Sequence, residues 1–340
     1  MPTCESFGCD DEGCYKDEYG DYYCPDHWLP GSEEERHLAK MFAGCVVWAP
    51  VIRDIAVAPM KQDALALNPQ ASTCTVQLPQ PSDFVDLYQH FMVGAFNINV
   101  PITFDTGERW LARVGQGVSY SEDPNSERRR ARRESEFQTL KVLHEVAPSF
   151  IPRVWKPERT AAHQICPEYY FMEYIDGQPT KDSEGLLVRP HYVCDIRGWN
   201  RATIRDLAAF AVQASAVSFT GIGSLVPPEQ DDPSALPHVG RLHVPRISYK
   251  LKEGSYLSTA ELFYAMIDRS LGHFSKQTGI ETAKKNLGKI LECLDIRDMI
   301  SMCPALLEEG PTYLKHADLK PNVFLLKPDG SLAGIIDWEL

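Results

Sequence analysis

The pattern of apolar and polar positions is clearest near the end of the chain. Two short apolar runs, at 323–326 and 333–336, flank the turn Lys327-Pro328-Asp329-Gly330. Proline presets φ and glycine accepts positive φ, so the spacing predicts a hairpin. A polar stretch from His316 to Asn322 precedes it, and Asp337-Trp338-Glu339 follows. The hairpin brings two carboxylates, Asp318 and Asp337, to strand edges on one side of a cleft. Upstream, residues 98–104 and 110–114 read as successive strands, with Asp105-Thr106-Gly107 as a hairpin turn. Phe137, Leu140, Leu143 and Val146 repeat at helical spacing and predict a helix over 125–147. Residues 169–175 form a strand running into a turn at Asp176-Gly177. An amphipathic helix over 202–219 carries Leu207, Phe210, Ala211, Ala214 and Val217 on one stripe. Two more helices follow, over 256–278 and 281–302. Residues 68–81 and 227–245, rich in proline and polar residues, read as loops.

Composition separates the first 30 residues from the rest. Cys4, Cys9, Cys14, Cys24 and His27 lie among acidic residues and glycines. Close Cys and His pairs around a polar loop are how short segments build tetrahedral zinc sites, and Cys24 with His27 is a suitable pair. The alternative is a disordered tail with free thiols. Residues 31–82 read as linker and lead-in, with a helix start at Ser32-Glu33-Glu34-Glu35. The 340 residues are 44% hydrophobic, enough for two lobes with a sizeable core.

A net charge of -13 argues against nucleic acid and against an anionic membrane surface as partners. Arg128 to Arg133 reads as a solvated helix face offset by Glu134 and Glu136. The start of the chain has no basic, apolar leader, and its longest apolar stretch, 41–52, is too short to span a bilayer. A cytoplasmic, reducing location is expected, with the ten cysteines as thiols or metal ligands.

His316-Ala317-Asp318-Leu319-Lys320-Pro321-Asn322, followed by Ile335-Ile336-Asp337-Trp338-Glu339, resembles the aminoglycoside phosphotransferase (choline kinase-like) family, relatives of the protein kinases. Ser135-Glu136-Phe137-Gln138-Thr139-Leu140 and Phe219-Thr220-Gly221-Ile222-Gly223-Ser224-Leu225 are similar to further motifs of the family, and in having arginine at Arg113 the chain resembles its fungal-type members. The resemblance implies an α+β, two-lobed protein kinase-like fold. Its N-lobe, residues 83–175, would be a small antiparallel sheet and its C-lobe, residues 176–340, mainly helical. It also implies transfer of the γ-phosphate of ATP or GTP, with Mg²⁺, to a hydroxyl of a small molecule.

The roles follow from the same resemblance. Asp318 would accept the hydroxyl proton, and Lys320 would neutralise γ-phosphate charge. Asp337 and Asn322 would hold magnesium, while His316 would be a structural hydrogen-bonding residue. Phe91 to Asn97 would be a first strand and a turn covering the phosphates, with Gly94 and Asn97 in the turn, and Arg113 paired with Glu136 would anchor the phosphates. Met172 would line the base pocket, and backbone groups near Glu173 and Tyr174 would meet the purine edge. Two departures stand out. Asn322 follows Asp318 by four residues where the family has five, and the chain stops three residues after Asp337 where the family continues into helices. They leave open a second reading, a catalytically inactive nucleotide-binding or interaction protein. The acceptor and the oligomeric state are not legible in the sequence.

Overall fold

Strands rich in β-branched and aromatic residues build the first sheet, and their period of two decides which side chains reach each face. The computed structural model describes residues 15–16, 22–23, 49–79, 97–115, 126–158, 168–179, 200–228, 235–243, 254–274, 280–316, 319 and 323–338. Strands β1 (Tyr15–Lys16) and β2 (Tyr22–Tyr23) pair antiparallel. Helices α1 (Ala49–Arg53) and α2 (Val57–Leu67) follow. A five-stranded antiparallel sheet then combines β3 (Cys74–Val76), β4 (Asn97–Phe104), β5 (Arg109–Gly115), β6 (Val154–Trp155) and β7 (Tyr169–Glu173), in the order β3-β4-β5-β7-β6.

The β4–β5 turn falls where the sequence predicts it. Gly107 has φ +85°, and its amide donates to the Phe104 carbonyl at 3.0 Å. One face of the sheet carries Ile98, Val100, Ile102, Trp110, Ala112 and Val114 into a core shared with Met60 and Ala64 of α2. Trp110 stacks on Trp155 with ring centroids 3.9 Å apart. Leu111, Tyr170 and Met172, on the alternate positions, enter a second core with Leu140 and Leu143 of α3 (Ser126–Val146). Arg113 shares their parity, so it points to that second core.

The later part of the chain is mainly helical. Helix α4 (Arg201–Ala214) starts at Asn200, whose Oδ1 accepts from the Thr203 amide at 2.9 Å. Helices α5 (Thr259–Phe274), α6 (Ile280–Ser301) and the short α7 (Pro304–Leu307) complete the set among the described residues. β13 (Phe324–Leu326) and β14 (Leu332–Ile335) form the C-terminal hairpin, and β8 (Gln178–Pro179) pairs with β13. Val323, Phe324, Leu332, Ile335 and Trp338 pack into the same second core as α3 and Met172. The hairpin and the first sheet are thereby joined through one apolar cluster. The α+β class, with an antiparallel sheet first and helices after it, is as the sequence implies.

Several elements differ from the sequence reading. The neighbour of β4 on the outer edge of the sheet is β3, inside the stretch expected as loop, and Asn97 opens β4 instead of closing an earlier strand. Residues 91–96 lie outside the described residues. The helix expected to reach residue 219 ends at Ala214, because β9 (Ser218–Thr220) pairs with β12 (Pro311–Tyr313). The second expected loop contains β11 (His238–Val239), paired with β10 (Leu225–Val226). The arginine run is only partly solvated. Arg133 is largely buried, and its guanidinium donates to the carbonyl and carboxylate of Glu168. Among the described residues no helix is long and apolar enough to cross a membrane.

Candidate active site

Three elements converge on one guanidinium. Arg113 leaves β5 on the face toward α3, where Glu136 waits one layer away. Arg113 Nη2 lies 2.9 Å from Glu136 Oε1, and Nε donates to Oε2 at 3.1 Å. The expected pairing is thus formed, and it is bidentate, the geometry that a planar guanidinium gives with a carboxylate. The two side chains are 8% and 3% exposed, so each charge depends on the other for compensation. Nη1 approaches Asn99 Oδ1 at 3.5 Å. From the far end of the chain, Asp337 Oδ1 accepts from Arg113 Nη2 at 3.1 Å, with its side chain 40% exposed. Two carboxylates therefore share one guanidinium.

Asp337 has φ +67°, the left-handed region that a residue with a Cβ rarely enters. Its neighbours hold it there. The Ile336 amide donates to the Val323 carbonyl at 3.0 Å, and the Ile336 carbonyl accepts from His316 Nε2 at 2.9 Å. A carbonyl can only accept, so His316 carries a proton on Nε2. Its ring lies 4.7 Å from that of Trp338, whose indole N–H reaches the Ile335 carbonyl at 3.2 Å. His316 thus couples the start of the polar loop to the backbone beside Asp337, which is structural work by hydrogen bonding. Asp318, Lys320 and Asn322 of that loop lie outside the described residues.

The orientation of α3, and so of Glu136, is fixed from behind. Ser135 is fully buried, and its Oγ accepts from the Leu225 amide at 3.0 Å. The adjacent Ser224 Oγ accepts from the His243 amide at 2.8 Å. Gly223 must be glycine for this approach, since a Cβ there would fall 2.0 Å from the Gly240 carbonyl oxygen. The sequence reading missed Ser135 as an anchor and Asn99 as a neighbour of Arg113. A serine inside a helix, where it competes with the backbone, was the available signal for the first.

The remaining expected residues are placed unevenly. Met172 is buried in the second core. The Glu173 amide donates to the Arg153 carbonyl at 2.8 Å and the Tyr174 amide to the Arg109 carbonyl at 3.1 Å. These two amides are committed within the protein, so a purine edge here would meet carbonyls or amides farther along. The Arg109 guanidinium lies 4.1 Å from the Tyr174 ring centroid and pairs with Asp176 at 3.0 Å. Asn97 is buried and lies opposite Gly115 in the β4–β5 register. At Gly115 a Cβ would collide with the Arg133 guanidinium. Gly94, like Cys4, Cys9, Cys14, Cys24 and His27, lies outside the described residues. Among the described residues no cluster of three or more His, Cys, Asp or Glu side chains is poised for a metal ion.

The fold is similar to a macrolide 2'-phosphotransferase type I, with 13% identity and a TM-score of 0.40, over 84% of this chain and 72% of that one. It is similar to the macrolide 2'-phosphotransferase of Brachybacterium faecium at 14% identity and a TM-score of 0.40, over 82% and 71% of the two chains. A candidate fructosamine-3-kinase from Thermobifida fusca shares 12% identity at a TM-score of 0.40, over 72% and 65%. The sequence matches no protein-family model and no curated protein. At this level of similarity, the roles of individual residues rest on the geometry around Arg113.

Proposed function

We propose that Arg113, Glu136 and Asp337 form the phosphate end of a nucleotide site, and that the chain transfers a γ-phosphate to a hydroxyl group of a small molecule. The observation that supports this most is the convergence on Arg113 of a helix carboxylate and a carboxylate 224 residues away. A buried ion pair adds little net stability over an apolar pair, so a charged cluster opening to solvent fits a site better than a structural staple.

The donor set fits a magnesium nucleotide. Asp337 would hold the cation, with Asn322 as a second ligand, and the cation would neutralise phosphate charge when bound. Glu136 keeps the guanidinium of Arg113 facing the phosphates. Asp318 would accept the proton of the acceptor hydroxyl as its oxygen bonds to the γ-phosphorus and the bond to the β–γ bridging oxygen breaks. Lys320 would offset charge on the transferred group. Such chemistry depends on positioning and on charge stabilisation.

Calorimetric titration of ATP and GTP, with and without Mg²⁺, tests the site. Nucleotide binding strengthened by magnesium is expected, with the magnesium dependence lost in Asp337→Ala. Absence of nucleotide binding under both conditions would reject the reading. A turnover assay with hydroxylated acceptors on the same preparation separates two cases. The four-residue spacing from Asp318 to Asn322 favours a second reading, a nucleotide binder without transfer. Binding without turnover would select it, and turnover abolished by Asp318→Ala would select the kinase.

A further inference from the structure

A residue with a Cβ keeps the backbone conformation of Asp337 only where its surroundings hold it. Helix α4 grips the strand that leads there, at both ends. Asn200, Thr203 and Asp206 are spaced i, i+3 and i+6 across the start of α4, so they share one face. Each reaches the backbone of the β13–β14 turn. Asn200 Nδ2 donates to the Asp329 carbonyl at 3.2 Å, and Thr203 Oγ1 donates to the Gly330 carbonyl at 2.6 Å. Asp206 Oδ2 accepts from the Leu332 amide at 3.0 Å. Thr203 is buried, so water does not replace its hydroxyl. Gly330 has φ +79°, and a Cβ there would collide with the Asn200 amide, so the turn is fitted closely to the helix. One helical turn past Asp206, the Phe210 ring meets that of Trp338, with centroids 5.8 Å apart. The helix thus holds β14 where it begins and again at the residue after Asp337.

We infer that α4 is a splint for the cation ligand, and that Thr203 and Asp206, with Asn200, are positioning residues that set where β14 delivers the Asp337 carboxylate. This rests on the proposed reading of Asp337 as that ligand. Apolar packing is non-directional, so Phe210 and Trp338 alone would let the strand shift along the helix. Directed hydrogen bonds to three backbone groups of the turn fix its register. A strand fixed at its start then carries Asp337 to one place beside Arg113, 3.1 Å from Nη2.

Hydrogen–deuterium exchange and ATP titration on the full chain test this together. In Thr203→Val and Asp206→Ala, exchange over 332–338 should be about fivefold faster or more, with β5 unchanged. Thr203→Ser keeps the donor and Asp206→Asn keeps an acceptor, so both should exchange as wild type does. In the first two variants, the gain in ATP affinity on adding Mg²⁺ should fall about tenfold, with the metal-free affinity not lowered. Unchanged exchange over 332–338, or serine and asparagine variants as fast as the valine and alanine ones, would overturn the splint. Faster exchange with the full magnesium gain retained would overturn the positioning role, leaving a structural one. A wild-type chain that binds neither ATP nor GTP would reject the proposed function instead. The exchange comparison needs no nucleotide and still decides whether α4 holds β14 in place.

Discussion

At the scale of single residues, Asp337 combines function and strain. Its left-handed backbone is unfavourable for any residue with a Cβ and neutral for glycine. Asp337→Gly is therefore expected to be more stable than Asp337→Ala by about 1 kcal/mol, since both lose the Arg113 contact and only glycine relaxes the backbone. Chemical denaturation of the two variants measures this, and equal stabilities would show that the backbone is not strained. The Arg113–Glu136 pair was legible through the resemblance of Ser135 to Leu140 to a family helix motif, beside the local signal of a charge on an apolar strand. The Asp337 contact with Arg113 was not. It spans 224 residues, and no periodicity reaches that far. Asn99 was missed because only the strand register shows that it faces Arg113 across the ladder.

At the scale of elements, the hairpin and α3 carry the site. The Ser331 hydroxyl and amide hold the Asp329 carboxyl below the usual carboxylate range, within the β13–β14 turn. A lowered folded-state value gives stabilisation that is present above the unfolded value, about pH 4, and lost as pH falls through the folded value. Asp329→Asn keeps an acceptor oxygen and removes the charge. The thermal midpoint of wild type should exceed that of the variant near neutrality, with the gap closing below about pH 4. A gap constant through acid would contradict the assignment. Behind α3, Ser135→Ala would leave the buried Leu225 amide without its acceptor, and a loss of about 1–3 kcal/mol in urea unfolding is expected. A loss below about 0.5 kcal/mol would mean that the amide finds another partner. The meander, α3 and the hairpin were readable because periods of 2 and 3.6 persist over several residues. β3, β9 and β11 are two or three residues long, too short for alternation to show, and tertiary pairing alone defines them.

At the scale of the whole molecule, two cores lie on opposite faces of one sheet, and the site occupies the face shared with the hairpin. Asp337 already serves Arg113 as an internal counter-ion. A free phosphate group would meet the Asp337 carboxylate on the guanidinium, and a free divalent cation would meet a carboxylate already engaged. Under the proposed function each ligand removes the obstacle to the other. Nucleotide and magnesium are then thermodynamically linked, and each must tighten the other by the same factor. Measuring nucleotide affinity across magnesium concentrations, and magnesium affinity across nucleotide concentrations, should return one coupling constant. In Asp337→Asn, where the counter-ion is neutral, the nucleotide should bind more readily without metal and gain less from it. The carboxylate would then act as a latch against unaccompanied phosphate, held shut by the residue that opens it.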